Sequence, residues 1–182
     1  MNNINKVIYA IAFLLVFSGC NRNNQPEKNK DLKEIEKEYK KPMMEWNEKK
    51  VRDQDMRIKR YAERRDWDMT RTGTGLFYEI YEKGNGSKTD SGENVTIKYR
   101  VELLDGTYCY SSDSSGLRNI KPGKMQVERG LEEALLKMRE GDKIRIIAPP
   151  HLAFGLPGDG NRIPADATLV YHVELINAEQ NE

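Results

Sequence analysis

The sequence contains very few cysteines and histidines, with two of each in 182 residues. Cys20 and Cys109 form no two-cysteine redox motif, and His151 and His172 belong to no cysteine cluster of the kind that binds zinc. A thiol nucleophile needs a neighbouring base, and neither histidine comes with an evident orienting partner. These absences argue against metal and cysteine-nucleophile chemistry, and we expect no metal and no cofactor.

The chain also lacks an excess of charge of either sign. Its 30 Lys and Arg residues face 29 Asp and Glu residues, for a formal net charge of +1. Because nucleic acid favours a net basic surface, this balance argues against nucleic acid as a partner. Hydrophobic residues make up 37% of the chain, which predicts that part of it lies outside any packed core. The length favours one domain with an appendage.

One uninterrupted apolar run, VIYAIAFLLVF at Val7–Phe17, follows Lys6 near the N-terminus. It is short for a membrane span and has the length of the hydrophobic region of a secretory signal. The run ends in FSGC, which resembles the cleavage site of a bacterial lipoprotein. We therefore predict a signal peptide at 1–19 and a lipid on the thiol of Cys20. The alternative is a plain signal anchor whose cysteine is incidental.

Two further segments precede the globular part. Residues 20–30 are polar and without apolar periodicity, which predicts a flexible, lipid-anchored tether. Residues 31–71 are rich in charge and in helix formers, which predicts a charged helical extension divided by Pro42. A spacer helix resting partly on the domain and a helix pair through 31–67 that forms a weak dimer both remain open. The apolar residues of this extension form a thin stripe: Leu32, Ile35, Tyr39, Val51, Ile58 and Tyr61.

The segment VTIKYRVEL alternates apolar and polar residues along its whole length. A period of two predicts a half-buried antiparallel strand. Asp105-Gly106, which follows, has the composition of a hairpin turn, and the chain returns through TYCYSS. Cys109 is out of phase with the tyrosines on either side of it, so we expect a small buried residue there. The residues predicted to share the apolar face are Val95, Ile97, Tyr99, Val101 and Leu103.

The segment GLEEALLKMREGD predicts one short globular helix. Leu131, Leu135 and Met138 share one face of it, and we expect Gly141 to end it. KIRIIAPP and TLVYHVELI predict further strands, with His172 on the polar face of the second. One short helix against a strongly bent antiparallel sheet is an α+β fold.

From about Thr72 to Ala178, these segments in this order resemble the FKBP-type peptidyl-prolyl cis-trans isomerases. The resemblance is carried by TGTGLFYEI, VTIKYRVELLDG, the Ser111-Ser112 pair, GLEEALLKMREGDKIRIIAPPHLAFG and IPADATLVYHVEL. It implies a curved antiparallel sheet of five or six strands wrapped around one short helix. The predicted isomerase domain is 72–178, with a tail at 179–182. The lipid-anchored layout also resembles the gliding-motility-associated lipoprotein branch of this family.

The resemblance further implies a shallow apolar pocket for a proline ring. Cys109 and Leu131 correspond to substrate-binding positions, and Cys109 is then part of the pocket wall. The backbone N–H of Glu128 would hold the carbonyl group that precedes the proline. The positions of this chain that match the family's catalytic residues are Tyr99, Tyr110, Val127, Glu128, Phe154, Ile163 and Tyr171.

Several residues depart from the family's pattern in this pocket. Cys109 and Tyr110 replace a Phe-Asp pair, which removes an aromatic wall and the carboxylate that accepts a hydrogen bond from the position of Tyr99. The phenol of Tyr110 can take part in a similar hydrogen bond, but it brings no charge. Phe154 lacks the hydroxyl of the usual tyrosine, and Glu128 replaces an aliphatic residue. The resemblance therefore implies a looser, wetter pocket and a weaker enzyme.

The prediction is a prolyl isomerase that acts as a folding factor on proline-containing or unfolded polypeptides of the cell envelope. The alternative is a weakly active or inactive FKBP-like peptide-binding or chaperone module within an envelope complex. We expect a membrane-anchored lipoprotein, on the outer membrane and facing the periplasm. Tyr99→Ala or Ile163→Ala should lower the activity, and Cys109→Ser should hardly change it.

Overall fold

A computed structural model describes residues 32–179 of the chain. The predicted signal peptide, the lipid site at Cys20 and the tether lie outside the described residues, as do residues 180–182 of the tail. The chain divides into two units, Met1–Glu48 and Lys49–Glu182. In the described range, no helix combines the length and apolar character needed to cross a membrane.

The predicted extension is helical and continues through Pro42. Helix α1 (Leu32–Ile35) is followed by a π-helical turn (Glu36–Lys40) and then by helix α2 (Lys41–Glu63). The expected break is absent because Pro42 stands in the first turn of α2, where a missing N–H costs little. Within residues 32–48, the part of the first unit that the structure describes, these large hydrophobic side chains are exposed: Leu32, Ile35, Tyr39, Met43, Met44 and Trp46.

The last turns of α2 belong to the second unit and pack against its sheet. Ile58 and Tyr61 are 0% and 2% exposed and form a cluster with Phe77, Ile147 and Val170. The prediction of a helix that rests partly on the domain is confirmed for these turns. Val51, on the same apolar stripe, is 44% exposed, so the stripe is buried only in part.

Seven antiparallel strands of the described residues form one sheet. Its order is β1-β2-β6-β7-β3-β4, with β5 paired to β3. The sheet is larger than the expected five or six strands because two very short strands, β1 and β5, join it. The bounds are β1 Thr70–Arg71, β2 Phe77–Glu82, β3 Asn94–Leu103, β4 Tyr108–Ser111, β5 Arg118–Ile120, β6 Lys143–Ala148 and β7 Leu169–Glu179.

The alternation along β3 places its apolar residues on the core face, as predicted. Val95, Ile97 and Val101 are buried, while Tyr99 and Leu103 are partly buried at the edge of the same core. In the register of the sheet, Val101 lies opposite Tyr171 of β7. The predicted hairpin turn follows β3 and is closed by a hydrogen bond of 2.9 Å from the Gly106 N–H to the Leu103 carbonyl.

The predicted globular helix is α4, Arg129–Leu135, and it is shorter than expected. It ends at Leu135 and not at Gly141, because the next backbone hydrogen bonds span only three residues, from the Lys137 N–H to the Ala134 carbonyl (2.9 Å) and from the Met138 N–H to the Leu135 carbonyl (3.0 Å). Leu131, Leu135 and Met138 are all buried against the sheet. Gly141 lies in the turn before β6 with a φ of 87°, a conformation that favours glycine. Two further short helices are α3 (Ser112–Ser115) and a 3₁₀ helix (Pro150–Leu152).

The two faces of the sheet carry different cores. Successive strand residues point to opposite faces, so Tyr171 enters the cluster under α4 while its neighbour Val170 enters the cluster under α2. Ile146 and Ile147 are divided in the same way. The predicted site lies on the α4 face, and the end of α2 covers the other face.

Candidate functional site

Tyr99 is a half-buried residue of β3 that neighbouring polar groups hold in place. Its backbone N–H donates to Oγ of Ser112 at 3.1 Å. Its hydroxyl lies 2.8 Å from Oγ of Ser115, and the guanidinium of Arg118 lies 6.0 Å from its ring centroid. Residues of α3 and β5 therefore fix a tyrosine ring that keeps part of its surface open to solvent.

Cys109 on β4 is fully buried. Its Sγ lies 3.8 Å from the carbonyl oxygens of Thr107 and Arg162. Burial, followed by the nearby carboxylate of Asp159, raises the pKa of its thiol, so the thiol stays protonated at neutral pH. A buried, protonated thiol is a poor nucleophile, and Cys109 serves as a packing residue, as predicted.

We expect Cys109→Ser to keep kcat/KM for an Xaa-Pro peptide within about twofold of the wild-type value. The serine hydroxyl can donate to the same carbonyl oxygens that the thiol contacts. The free energy of unfolding should fall by about 1 kcal/mol, because a polar hydroxyl replaces a thiol in a buried place. Peptide isomerisation rates and denaturant unfolding measure the two effects. A folded variant without activity would contradict the packing role.

Tyr110 makes a different hydrogen bond from the expected one. Its hydroxyl donates to Oδ2 of Asp159 in a short hydrogen bond, which raises the pKa of Tyr110. The hydroxyl of Tyr99 is paired with Ser115 instead. The possible hydrogen bond between Tyr99 and Tyr110 is thus not formed, because a carboxylate is a stronger acceptor for the Tyr110 phenol than another hydroxyl.

Asp159 is a site residue that the sequence interpretation missed. Its Oδ1 accepts the backbone N–H groups of Asn161 (2.9 Å) and Ile163 (2.8 Å). Desolvation raises the pKa of this carboxyl, but the hydrogen bonds from Tyr110, Asn161 and Ile163 outweigh it and lower the pKa below the usual value. One carboxylate thus ties β4 to the loop that carries Ile163. The signal was Gly158-Asp159-Gly160-Asn161, a turn sequence in which an aspartate accepts nearby backbone N–H groups.

The segment before α4 brings Val127 and Glu128 to the edge of the core. Both residues are partly buried, and Leu131 on the first turn of the helix is buried. The helix approaches the sheet closely at Gly130, where an added Cβ would lie 3.0 Å from the Leu152 carbonyl oxygen and 3.1 Å from the Ala148 Cβ. A side chain at this position would require the neighbouring atoms to shift, so glycine suits the close approach. Oε2 of Glu128 is buried and has no hydrogen-bond partner.

Tyr171 and Phe154 complete the set of aromatic residues. Tyr171 on β7 is 2% exposed, and its hydroxyl is buried without a hydrogen-bond partner. Burial, followed by the charge of Glu128, raises the pKa of Tyr171 well above its ordinary value. Phe154 follows the 3₁₀ helix and packs on the same core with part of its ring exposed.

The structure brings the predicted site residues together. Leu131, Ile163, Tyr171 and Cys109 are buried in one cluster. Glu128 stands beside this cluster through its electrostatic interaction with Tyr171. The result is a solid apolar floor with a half-exposed aromatic and aliphatic rim. The rim residues that pack against the cluster are Tyr99, Tyr110, Val127 and Phe154.

Two other features lie away from this surface. A cavity of about 220 Å³ is lined by Gln54 and Arg57 of α2 and by residues such as Asp105, and it includes none of the predicted site residues. His172 packs edge-on against Trp67 at 5.8 Å, and burial lowers its pKa, so it is neutral at pH 7. In the part of the chain that the structure describes, no group of three or more His, Cys, Asp or Glu residues could hold a metal ion.

Comparison with known proteins identifies relatives of this domain. The model of the family "FKBP-type peptidyl-prolyl cis-trans isomerase" matches residues 85–176, about half of the chain. FK506-binding protein 1A of Neurospora crassa is 36% identical over 104 residues, which cover 56% of this chain and 87% of that protein. The crystal structure of AtFKBP13 matches with a TM-score of 0.60 at 24% identity and covers 62% of this chain and 99% of that one. The fold match confirms the predicted α+β fold.

Two bacterial relatives are longer than this chain. The FKBP-type peptidyl-prolyl cis-trans isomerase FkpA of Escherichia coli is 27% identical over 168 residues, 90% of this chain and 60% of that protein. The outer membrane protein MIP of Legionella longbeachae is 33% identical over 110 residues, 59% of this chain and 46% of that protein. The match to FkpA reaches well beyond the residues of the family model and includes part of the helical extension.

Proposed function

Because the chain belongs to the FKBP-type peptidyl-prolyl cis-trans isomerase family, we propose that it accelerates Xaa-Pro isomerisation in proteins of the bacterial cell envelope. One observation carries this proposal: the half-exposed rings of Tyr99 and Phe154 and the side chain of Val127 continue directly into the buried core. Such a surface can cover a proline ring and exclude water from it. Proline-containing and unfolded envelope polypeptides are the proposed substrates.

The proposed mechanism is non-covalent. Rotation about a peptide bond faces a barrier of about 18–20 kcal/mol because resonance keeps the amide planar. The twisted amide is less charge-separated than the planar one, so an apolar surface disfavours it less than water does. Glu128 is the residue that precedes the α4 helix, and its N–H is the proposed donor to the carbonyl before the proline. Catalysis then comes from tighter binding of the twisted form than of the planar form.

A second candidate, a peptide-binding module with slow turnover, is favoured by the polar groups around the pocket. Tyr110 is bound to Asp159, and Glu128 brings a carboxylate to a place where apolar cover would help desolvation. A wetter pocket binds extended segments but stabilises a twisted amide less. The two candidates predict different rates on the same peptides.

The envelope location rests on the apolar run Val7–Phe17 and on Cys20. We propose that a lipid on Cys20 anchors the chain in the outer membrane, with the isomerase domain facing the periplasm. The relative MIP carries the words outer membrane protein in its name, which supports an envelope location. A second copy of the chain is a further proposed partner, in a weak dimer through 31–67, because hydrophobic side chains such as Leu32 and Met43 are 81% and 60% exposed.

The test of the proposed function is an isomerisation rate on short Xaa-Pro peptides, with the purified full chain in detergent micelles. Tyr99→Ala should lower kcat/KM about tenfold or more, because it removes one side of the pocket. Tyr39→Ala is a matched control, since Tyr39 is 59% exposed in the helical extension. A folded wild-type protein that binds these peptides without accelerating them would favour the binding module.

A further inference from the structure

Two polar atoms of the site are buried without a hydrogen-bond partner. One is Oε2 of the Glu128 carboxylate and the other is the hydroxyl oxygen of Tyr171. Tyr171 itself is only 2% exposed. Because buried polar groups are nearly always hydrogen-bonded, two unpartnered atoms in one site point to a bound molecule that supplies the missing partner.

Both residues belong to the same region of the domain, because Tyr171 is buried in one cluster with Leu131, and Glu128 stands three residues before Leu131. Among charged groups, Glu128 has the largest electrostatic effect on Tyr171, ahead of Arg118, and burial keeps the phenol protonated. Tyr171 is buried in the cluster that also holds Cys109 of β4 and Leu131 of α4, and Glu128 directly precedes α4.

The Glu128 carboxylate is not neutralised by a neighbouring side chain. None of the ion pairs found within 4 Å among residues 32–179 involves Glu128. Arg118 lies against the ring of Tyr99, and Arg162 donates to the carbonyl of Cys109 at 2.8 Å. Arg129 is exposed. Glu128 is itself only partly buried, so its carboxylate, which has an unpartnered oxygen in the buried position, can turn toward a donor at the edge of the apolar surface.

We propose that Glu128 makes this site selective for Xaa-Pro segments in which the residue before the proline is lysine or arginine. The inference rests on the proposed function and names its substrate class. An ammonium or guanidinium group at the edge of this surface would donate to the Glu128 carboxylate in a charge-assisted hydrogen bond. A leucine at the same place offers no donor, and a glutamate meets a like charge.

The experiment compares kcat/KM for three peptides that differ only in the residue before the proline, which is lysine, leucine or glutamate. For the full chain, the lysine peptide should exceed the glutamate peptide about tenfold. In Glu128→Gln this ratio should fall to within about twofold of unity, because the amide keeps the shape of the side chain and loses its charge. In Glu63→Gln the ratio should not change, since Glu63 is exposed at the end of α2 on the other side of the sheet.

The ratio separates this inference from the proposed function. If the leucine peptide is isomerised but the lysine and glutamate peptides react equally, the enzyme stands and the inference is wrong. A preference for the glutamate peptide would also overturn it and would assign the selectivity to Arg118. If no peptide is isomerised, the proposed function fails, and NMR titration of the same peptides decides the inference through the ratio of their Kd values. Arg118→Gln is a second variant and should increase the preference for lysine.

Discussion

Asp159→Ala is expected to lower kcat/KM for Xaa-Pro peptides about tenfold or more while the domain remains folded. The substitution removes the acceptor of the Tyr110 hydroxyl and of the N–H groups of Asn161 and Ile163. Without it, the loop that carries Ile163 loses its carboxylate link to β4 and keeps the contacts between Arg162 and Cys109. The isomerisation assay measures the loss, and circular dichroism checks the fold.

The control for this prediction is Asp53→Ala, which removes an exposed aspartate from α2 and should change kcat/KM by less than about twofold. Wild-type activity in Asp159→Ala would show that the loop keeps its position without the carboxylate.

The pH dependence of stability gives a second check on Asp159. Because the folded pKa of Asp159 is lowered, its stabilising effect is full above the unfolded value of about 3.9 and is lost as pH falls through the folded pKa. The stability difference between wild type and Asp159→Asn should therefore shrink below about pH 4.

Ile58→Ala is expected to lower the free energy of unfolding by about 2–5 kcal/mol, the range for truncating a fully buried aliphatic residue. Ile58 is 0% exposed and packs with Phe77, Ile147 and Val170 beneath α2. Urea unfolding followed by tryptophan fluorescence measures the change, since Trp67 borders the same cluster. The activity of the folded variant should stay close to wild type, because this cluster lies on the face of the sheet opposite the site.

Val51→Ala on the same helix is the matched comparison for Ile58→Ala. Val51 is 44% exposed, so the change in unfolding free energy should stay within about 0.5 kcal/mol. Equal changes in the two variants would show that the burial of Ile58 adds nothing to the stability of the domain. A loss below about 1 kcal/mol in Ile58→Ala would show that the sheet does not depend on this cover.

In the helical extension, local sequence predicts the helix, but tertiary contacts decide which of its residues are buried. A sequence dense in charge with a thin apolar stripe predicts a helix, and the helix is present from α1 to the end of α2. The apolar stripe does not predict which of its residues pack against the sheet. Ile58 and Tyr61 are buried and Val51 is not, because only the last turns of α2 have strands of the sheet beneath them.

The sequence by itself determined the strand and helix types, the α+β fold and the packing role of Cys109. These features depend on alternation, helical spacing and turn residues, which are local properties of the chain. The order of the motifs along the chain also predicted the pocket residues, which pack in or against one buried cluster. Only the tertiary structure decided the partners of the polar groups: Tyr110 with Asp159, Tyr99 with Ser115, and Glu128 with none. Tyr110 and Asp159 are 49 residues apart, and no local pattern encodes a hydrogen bond between side chains that meet only when β4 and a distant loop pack together.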